Sequence, residues 1–137
     1  METLAIRLRP GQDLRLALEA AVAAQGCGAA FVLSGIGSLA EARLRFAGAG
    51  DAQPLSGEIE LLTLAGTIAL DASHLHASLA GSGGDVCGGH LAYGCTVRTT
   101  AEVLLALLPE WDFKREPDAA SGYDELVVRR PAPPDAA

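Results

Sequence analysis

The histidines of this chain are the residues whose type and spacing first suggest chemistry. There are three of them, His74, His76 and His90, and all lie in the stretch HLHASLAGSGGDVCGGHLAYGC, residues 74–95. Three imidazoles that leave one coordination position open are the ligand set of a catalytic metal ion such as zinc. In the alternative interpretation, His74 and His76 are half-exposed strand residues and His90 packs at an interface.

A β-hairpin is the element that would bring the three histidines together. The segments HLHASLA and VCGGHLA flank the spacer GSGGD, a pattern typical of two strands joined by a glycine-rich turn. If Ala80 pairs with Val86, His76 lies directly opposite His90, with Cβ atoms roughly 5 Å apart, and His74 is their diagonal neighbour. The histidine face would carry small residues, namely Ser78, Gly88 and Ala92, and the other face a core of Leu75, Leu79 and Leu91. A slip of one residue would turn His90 to the core face and break the cluster.

The remaining segments predict a single domain over residues 1–130, followed by a disordered tail over residues 131–137. A helix is expected from about Asp13 to Gln25, with Gly26 at its C-terminal end. Strands are expected at residues 4–9, 28–35, 38–48 and 57–70, with a bulge or kink at Gly66, and at WDFKRE and ELVVRR near the end.

A second helix is predicted after residue 99. Thr99 and Glu102 have the spacing of a capping box, and Pro109 follows the expected end. The apolar face of this helix would be formed by Val103, Leu104, Leu107 and Leu108. Two helices with seven or eight short strands predict an α+β fold, a compact, antiparallel-rich mixed β-sheet with two main helices.

The segment GIGSLA, residues 35–40, matches the glycine fingerprint of dinucleotide-binding folds. That fingerprint requires a helix to begin at its glycines, so that the helix N-terminus meets the pyrophosphate. Here the residues that follow alternate between apolar and polar, which predicts a strand. Nucleotide binding at this segment is therefore not expected.

Charge and cysteine content limit the classes of function. The formal net charge is −7 and the basic residues are scattered, whereas duplex binding usually requires a basic patch. Direct DNA binding is therefore disfavoured.

The N-terminus has charges where a signal peptide needs its apolar stretch, and no run reaches transmembrane length. The three cysteines have no C-x-x-C spacing, so a reduced cytoplasmic protein is expected.

Seven motifs, in this order, resemble the plants-and-prokaryotes-conserved (PPC) domain family, whose domain also follows AT-hooks in plant nuclear proteins. They span much of the chain and read RLRPGQDL (7–14), LSGIGSL (33–39), ELLTLAGTI (60–68), HLHASLA (74–80), GGHLAYGC (88–95), TTAEVLL (99–105) and GYDEL (122–126). The resemblance implies a stand-alone prokaryotic type of domain that assembles as a homotrimer. It also implies that His74, His76 and His90 hold a divalent metal such as zinc.

A second expectation from this resemblance concerns partner binding. A Gly-Arg-Phe-Glu-Ile-Leu stretch of plant members is linked to partners, and the matching positions that keep its character are Gly57, Glu60, Leu61 and Leu62. Glu58 replaces the arginine of that stretch, which argues against carrying the partner function over. The AT-hook is absent, so these residues give no support to the DNA-binding label of the family.

Three functions remain open at this point. The first is a metal-dependent trimer that acts on or senses a small molecule, with Glu60 or Asp71 as the general base if there is a reaction. The second is a non-enzymatic trimeric scaffold for other proteins, and the third is a DNA-associated regulator. No reaction can be assigned from the residues alone.

Overall fold

The computed structural model describes residues 1–131, and eight strands and one helix are formed within them. The elements are β1 (Glu2–Leu8), α1 (Leu14–Ala24), β2 (Ala29–Arg45), β3 (Gln53–Ala69), β4 (Ser73–Ala80), β5 (Val86–Leu91), β6 (Thr96–Leu107), β7 (Asp112–Pro117) and β8 (Asp124–Arg129). The predicted antiparallel-rich α+β class is confirmed, and the prediction of two main helices is wrong. Of the predicted disordered tail, residues 132–137 lie outside the described residues.

The strands form one large sheet and one small one. The six-stranded sheet has the order β1-β6-β2-β3-β4-β5, and β7 and β8 form a separate hairpin; all pairings among residues 1–131 are antiparallel. β5 pairs with β4 and also with the end of β2, where Leu44 lies opposite Leu91 and Arg45 opposite His90. Because of this extra pairing, the half of the sheet that contains the histidines curls back on itself.

The helix α1 begins and ends where the sequence predicts. Asp13 is its N-cap, and its carboxylate accepts a hydrogen bond from the backbone N–H of Leu16 at 3.0 Å. At the other end Gly26 takes a positive φ of 64°, as a terminating glycine does. The buried side chains of α1 are spaced by four residues and join the core of the large sheet: Leu14, Leu18 and Val22.

The segment predicted as a second helix is the strand β6. It lies between β1 and β2 and pairs with both along most of its length. Its buried residues alternate along the strand: Val97, Ala101, Val103 and Leu105. The helical periodicity and the capping box were local signals, and two neighbouring strands that each hydrogen-bond to this segment outweigh them. Thr99 caps no helix; its hydroxyl lies 2.5 Å from that of Ser38 on β2.

Two glycines allow close approach between strands. A Cβ at Gly37, within the GIGSLA segment, would lie 2.5 Å from the carbonyl oxygen of Thr100 on β6. As predicted, that segment continues as a strand. A Cβ at Gly66 would lie 2.0 Å from the carbonyl oxygen of His74. Gly66 has a φ of 139°, but it pairs regularly with Leu75, and the register shift between β3 and β4 lies at Leu61/Thr63. The bulge is therefore not at Gly66, and the alternative, a kink there, stays a prediction.

The two faces of the large sheet are covered by different elements, with α1 on one face and the β7–β8 hairpin on part of the other. The β7–β8 hairpin packs on the second face through Phe113, whose ring meets that of Phe31 edge-to-face at 5.6 Å. Beyond this hairpin, the second face leaves apolar side chains of β2 exposed among residues 1–131, namely Leu33 and Ile36. Within the described part of the chain, no helix is long and apolar enough to cross a membrane.

Candidate metal centre

The predicted hairpin and its register are confirmed. In the β4–β5 pair, His76 lies opposite His90 and Ala80 opposite Val86. His74 lies two residues before His76 and therefore projects from the same face. The three leucines predicted for the other face, Leu75, Leu79 and Leu91, are each 1% exposed. The alternation of β4 thus separates core residues from histidines.

The three imidazoles point one nitrogen each at a common centre. His74 Nε2 lies 3.1 Å from His76 Nε2 and 3.0 Å from His90 Nδ1, and the last two nitrogens are 3.1 Å apart. Nitrogens bound to one tetrahedral zinc ion at about 2.0–2.1 Å lie roughly 3.3–3.4 Å apart. An opening of a few tenths of an ångström would therefore fit this triangle to an ion.

Hydrogen bonding alone does not satisfy such a triangle. A proton on one nitrogen can be directed at only one neighbour, and the remaining lone pairs then face each other. A cation at the centre would accept all three lone pairs at once. Among the described residues, His74, His76 and His90 form a group of side chains that could together hold a metal ion.

The surroundings favour the neutral, metal-binding form of two of these imidazoles. Burial lowers the pKa of His74, and the Arg115 guanidinium lowers it further. Burial also lowers the pKa of His90, with the Arg45 guanidinium acting in the same direction. A free lone pair is what a metal requires of histidine, so both shifts prepare the site for a cation.

Arg15 of α1 holds the two strands that carry the histidines. Its guanidinium donates to the carbonyl oxygen of Ser73 at 2.7 Å and to that of Leu91 at 3.2 Å. These carbonyls belong to the residues next to His74 and His90. Arg15 also donates to the Ser73 hydroxyl at 2.8 Å and pairs with Glu19 at 3.2 Å, and it packs against the ring of Tyr93. This network ties α1 to the base of the histidine triangle.

A pocket of about 580 Å³ opens beside His74 and His90. Its charged wall brings three arginines that no sequence motif had linked together with two carboxylates of the GYDEL motif: Arg15, Arg45, Arg115, Asp124 and Glu125. They come from α1, β2, β7 and β8, which are far apart in the chain. Sequence reasoning missed them because scattered arginines show no pattern until the fold is known.

The two carboxylates proposed as general bases lie outside the lining of this pocket. Glu60 pairs with Ala80, four residues beyond His76 along β4, and is exposed. Asp71 accepts a hydrogen bond from the backbone N–H of Arg115 at 3.1 Å. The carboxylates of the pocket wall are instead those of Asp124 and Glu125.

The residues predicted to bind partners lie along β3. Gly57 has a φ of 117° and is exposed, as is Glu60. Leu62 is 43% exposed, whereas Leu61 is buried in the core. Because Leu61 is buried, it could reach a partner only if the strand opened. Partner binding through Gly57, Glu60 and Leu62 stays a prediction.

Comparison with known proteins gives relatives over nearly the whole chain. The bifunctional protein GlmU of Synechococcus sp. (strain JA-2-3B'a(2-13)) is 46% identical over 124 residues, which are 90% of this chain and 20% of that protein. The chain thus spans about a fifth of the length of this curated relative.

Several solved structures share the fold. A hypothetical protein from Salmonella is 40% identical with a TM-score of 0.91, and 94% of each chain is covered. A metal-containing protein from Archaeoglobus fulgidus is 26% identical with a TM-score of 0.79, over 93% of this chain and 94% of that one. A family model, described as the Plants and Prokaryotes Conserved (PCC) domain, matches residues 1–109. The chain therefore belongs to the PCC domain family, which is the same plants-and-prokaryotes-conserved family that its motifs resemble.

Proposed function

We propose that this protein is a homotrimeric PCC-domain protein that binds a divalent metal, zinc, through His74, His76 and His90. The observation that carries the proposal is the triangle of ring nitrogens at 3.0–3.1 Å. The metal-containing relative from Archaeoglobus fulgidus supports it, since that protein shares the fold at 26% identity.

The chemistry of the donor set favours zinc. Imidazole nitrogens suit zinc, copper, iron and nickel, and the tetrahedral geometry preferred by zinc is the one that fits the triangle. Three protein ligands leave the fourth position for water or a small molecule. A zinc ion held in this way supplies Lewis acidity and lowers the pKa of a bound water. The site therefore fits a protein that senses or acts on a small molecule.

Elemental analysis tests the metal proposal. The protein is purified without a histidine tag at about pH 8, incubated with excess zinc and desalted. We expect close to one zinc per chain, because the three neutral imidazoles are all available. His74→Ala, His76→Ala and His90→Ala should each lose most of it, since two ligands remain.

Cys87→Ala is the matched control. Cys87 lies on the same hairpin but pairs with Leu79 on the core face, so the variant should keep its zinc. If wild-type protein retains less than about a tenth of an equivalent of any transition metal, the metal proposal is wrong. The histidines would then line a cleft or a subunit seam.

The proposal of a homotrimer is based on exposed apolar surface on the second face of the sheet. Exposed apolar side chains from three strands lie there: Leu33, Ile36, Leu62 and Leu104. Contiguous apolar surface of this kind usually marks an interface. Light scattering at micromolar concentration should give the mass of three chains, and a monomer mass would refute this part of the proposal.

A further inference from the structure

Two arginines of the pocket wall, Arg45 and Arg115, are placed by strand pairing beside His90 and His74. Arg45 is directly opposite His90 in the β2–β5 pairing, so its side chain leaves the sheet on the histidine face. Arg115 donates a hydrogen bond to the Thr67 hydroxyl at 2.8 Å, and Thr67 is directly opposite His74. The β-sheet register therefore places a guanidinium beside each of these two histidines.

Neither of these arginines is neutralised by a carboxylate within 4.0 Å in the described part of the chain. The Nε of Arg115 is buried and finds no hydrogen-bond acceptor among residues 1–131. An unsatisfied buried donor on a charged group costs free energy, so an acceptor is expected to reach it. Arg15 differs, because its guanidinium already pairs with Glu19 and with two backbone carbonyls.

The charge balance of the pocket favours an anion. The protein as a whole is acidic, with a formal net charge of −7, yet three of its arginines line this pocket. Arg15 is already paired with Glu19, and Asp124 and Glu125 lie on the same wall as Arg45 and Arg115, so the side-chain charges nearly balance. A divalent cation held by three neutral imidazoles would make the site positive, and an anionic ligand would offset that charge.

The size of the pocket defines the kind of anion. A volume of about 580 Å³ is within the range of roughly 300–1,000 Å³ that is usual for small-molecule sites. Alanine side chains form part of the remaining wall, namely Ala52, Ala72 and Ala92. The space therefore suits a ligand that has an organic body as well as an anionic group.

We propose that this pocket binds a small organic anion whose carboxylate or phosphate oxygens are held by Arg45 and Arg115 beside the metal ion. The proposal rests on the proposed metal site, because His74 and His90 form part of the same wall. Guanidinium groups bind both carboxylate and phosphate through charged hydrogen bonds, so the two chemistries are separated by experiment.

The test is calorimetric titration of zinc-loaded protein with succinate, with inorganic phosphate, and with the neutral diol of the same carbon chain as succinate. We expect at least one of the two anions to bind and the diol to give no heat of binding. Binding of succinate alone would identify a carboxylate ligand, and binding of phosphate alone a phosphorylated one. If neither anion binds protein that retains zinc, the proposal is overturned.

Variants then assign the binding to the two arginines. Arg45→Gln and Arg115→Gln should each weaken the anion by at least about tenfold, because each removes a charged hydrogen bond. The zinc content of each variant shows whether the triangle is intact. Arg7→Gln is the matched control, since Arg7 lies on β1 at the opposite edge of the sheet. Equal affinity in all three variants would overturn the assignment.

Failure of the metal site can be told apart from failure of the anion pocket. If wild-type protein takes up no zinc, the same titrations are run on metal-free protein. Anion binding that depends on Arg45 and Arg115 would then support the pocket while the metal proposal falls. Absence of anion binding there would overturn both.

Discussion

The two faces of the β4–β5 hairpin are made by alternate residues of the same strands, yet they have different properties. One face packs Leu75, Leu79 and Leu91 into the core beneath α1, and each is 1% exposed. The other face carries the three histidines, and His76 is exposed to solvent. Stability is therefore concentrated on one side of the hairpin and binding on the other. Changes on the two faces should have separable effects.

A change in pH should affect the histidine face most strongly. We expect zinc that is bound near pH 8 to be released below about pH 5.5, because protons and metal compete for the same nitrogens. The pKa values of His74 and His90 are lowered from the usual value of about 6.5, so release should occur below that value and not at it. Elemental analysis after desalting at a series of pH values measures this.

Lowering the pH should also reduce the stability of the metal-free protein. A histidine whose pKa is lowered by folding binds its proton more readily when unfolded. Its contribution to stability is complete above about pH 6.5 and is lost as the pH falls towards the lowered pKa of the folded state. Denaturant unfolding of metal-free protein should thus show declining stability below about pH 6.5, and the His74→Ala variant should show a smaller decline.

The core face should respond to truncation with a loss of stability. Leu75→Ala removes a buried side chain between His74 and His76 and should lower the free energy of unfolding by about 2–5 kcal/mol. His76→Ala, at an exposed neighbouring position, should change the stability of metal-free protein by less than about 0.5 kcal/mol. Urea unfolding in a metal-free buffer compares the two variants. An equal loss in both would show that the faces are not separable.

Arg15 connects the two faces and should have an intermediate effect. Its hydrogen bonds among the described residues go to groups other than the histidine rings, and they hold the carbonyls of Ser73 and Leu91 beside two of the histidines. We expect Arg15→Ala to reduce zinc affinity by about 10–100-fold, as is usual when residues that orient metal ligands are lost. Competition with a chromophoric chelator measures the affinity. Arg9→Ala, on the exposed turn after β1, serves as the control and should leave the affinity unchanged.

The smallest effect concerns β6, far from the histidines. Thr99→Ala should lower the free energy of unfolding by about 1 kcal/mol, because the buried Ser38 hydroxyl loses its bond to the Thr99 hydroxyl and keeps only the backbone N–H of residue 99. A double-mutant cycle with Ser38→Ala should show that the two losses are not additive. Glu102→Ala should have little effect, since Glu102 is an exposed strand residue; a clear loss would mean that it has a partner on another chain.

Much of the fold and the core of the site could be predicted from the sequence because the decisive contacts are local. The turn GSGGD and the alternation on either side of it determine which residue of β4 meets which residue of β5, and so bring His76 and His90 together. Asp13 and Gly26 likewise determine the two ends of α1, since caps depend only on the first and last turns. The last two strands, β7 and β8, were also predicted, whereas their pairing in a separate hairpin is seen only in the structure.

Only the tertiary structure decided the state of β6 and the surroundings of the histidines. The residues from Thr96 to Leu107 have an apolar pattern that suits a helix as well as a strand, and pairing with β1 and β2 selects the strand. Arg15, Arg45 and Arg115 come from three separate elements, and their charges meet at one pocket because β5 turns back to pair with the end of β2 and β7 packs over Thr67. Contacts between distant segments carry no periodic signal, so the histidine triangle could be read from the sequence and the charged pocket beside it could not.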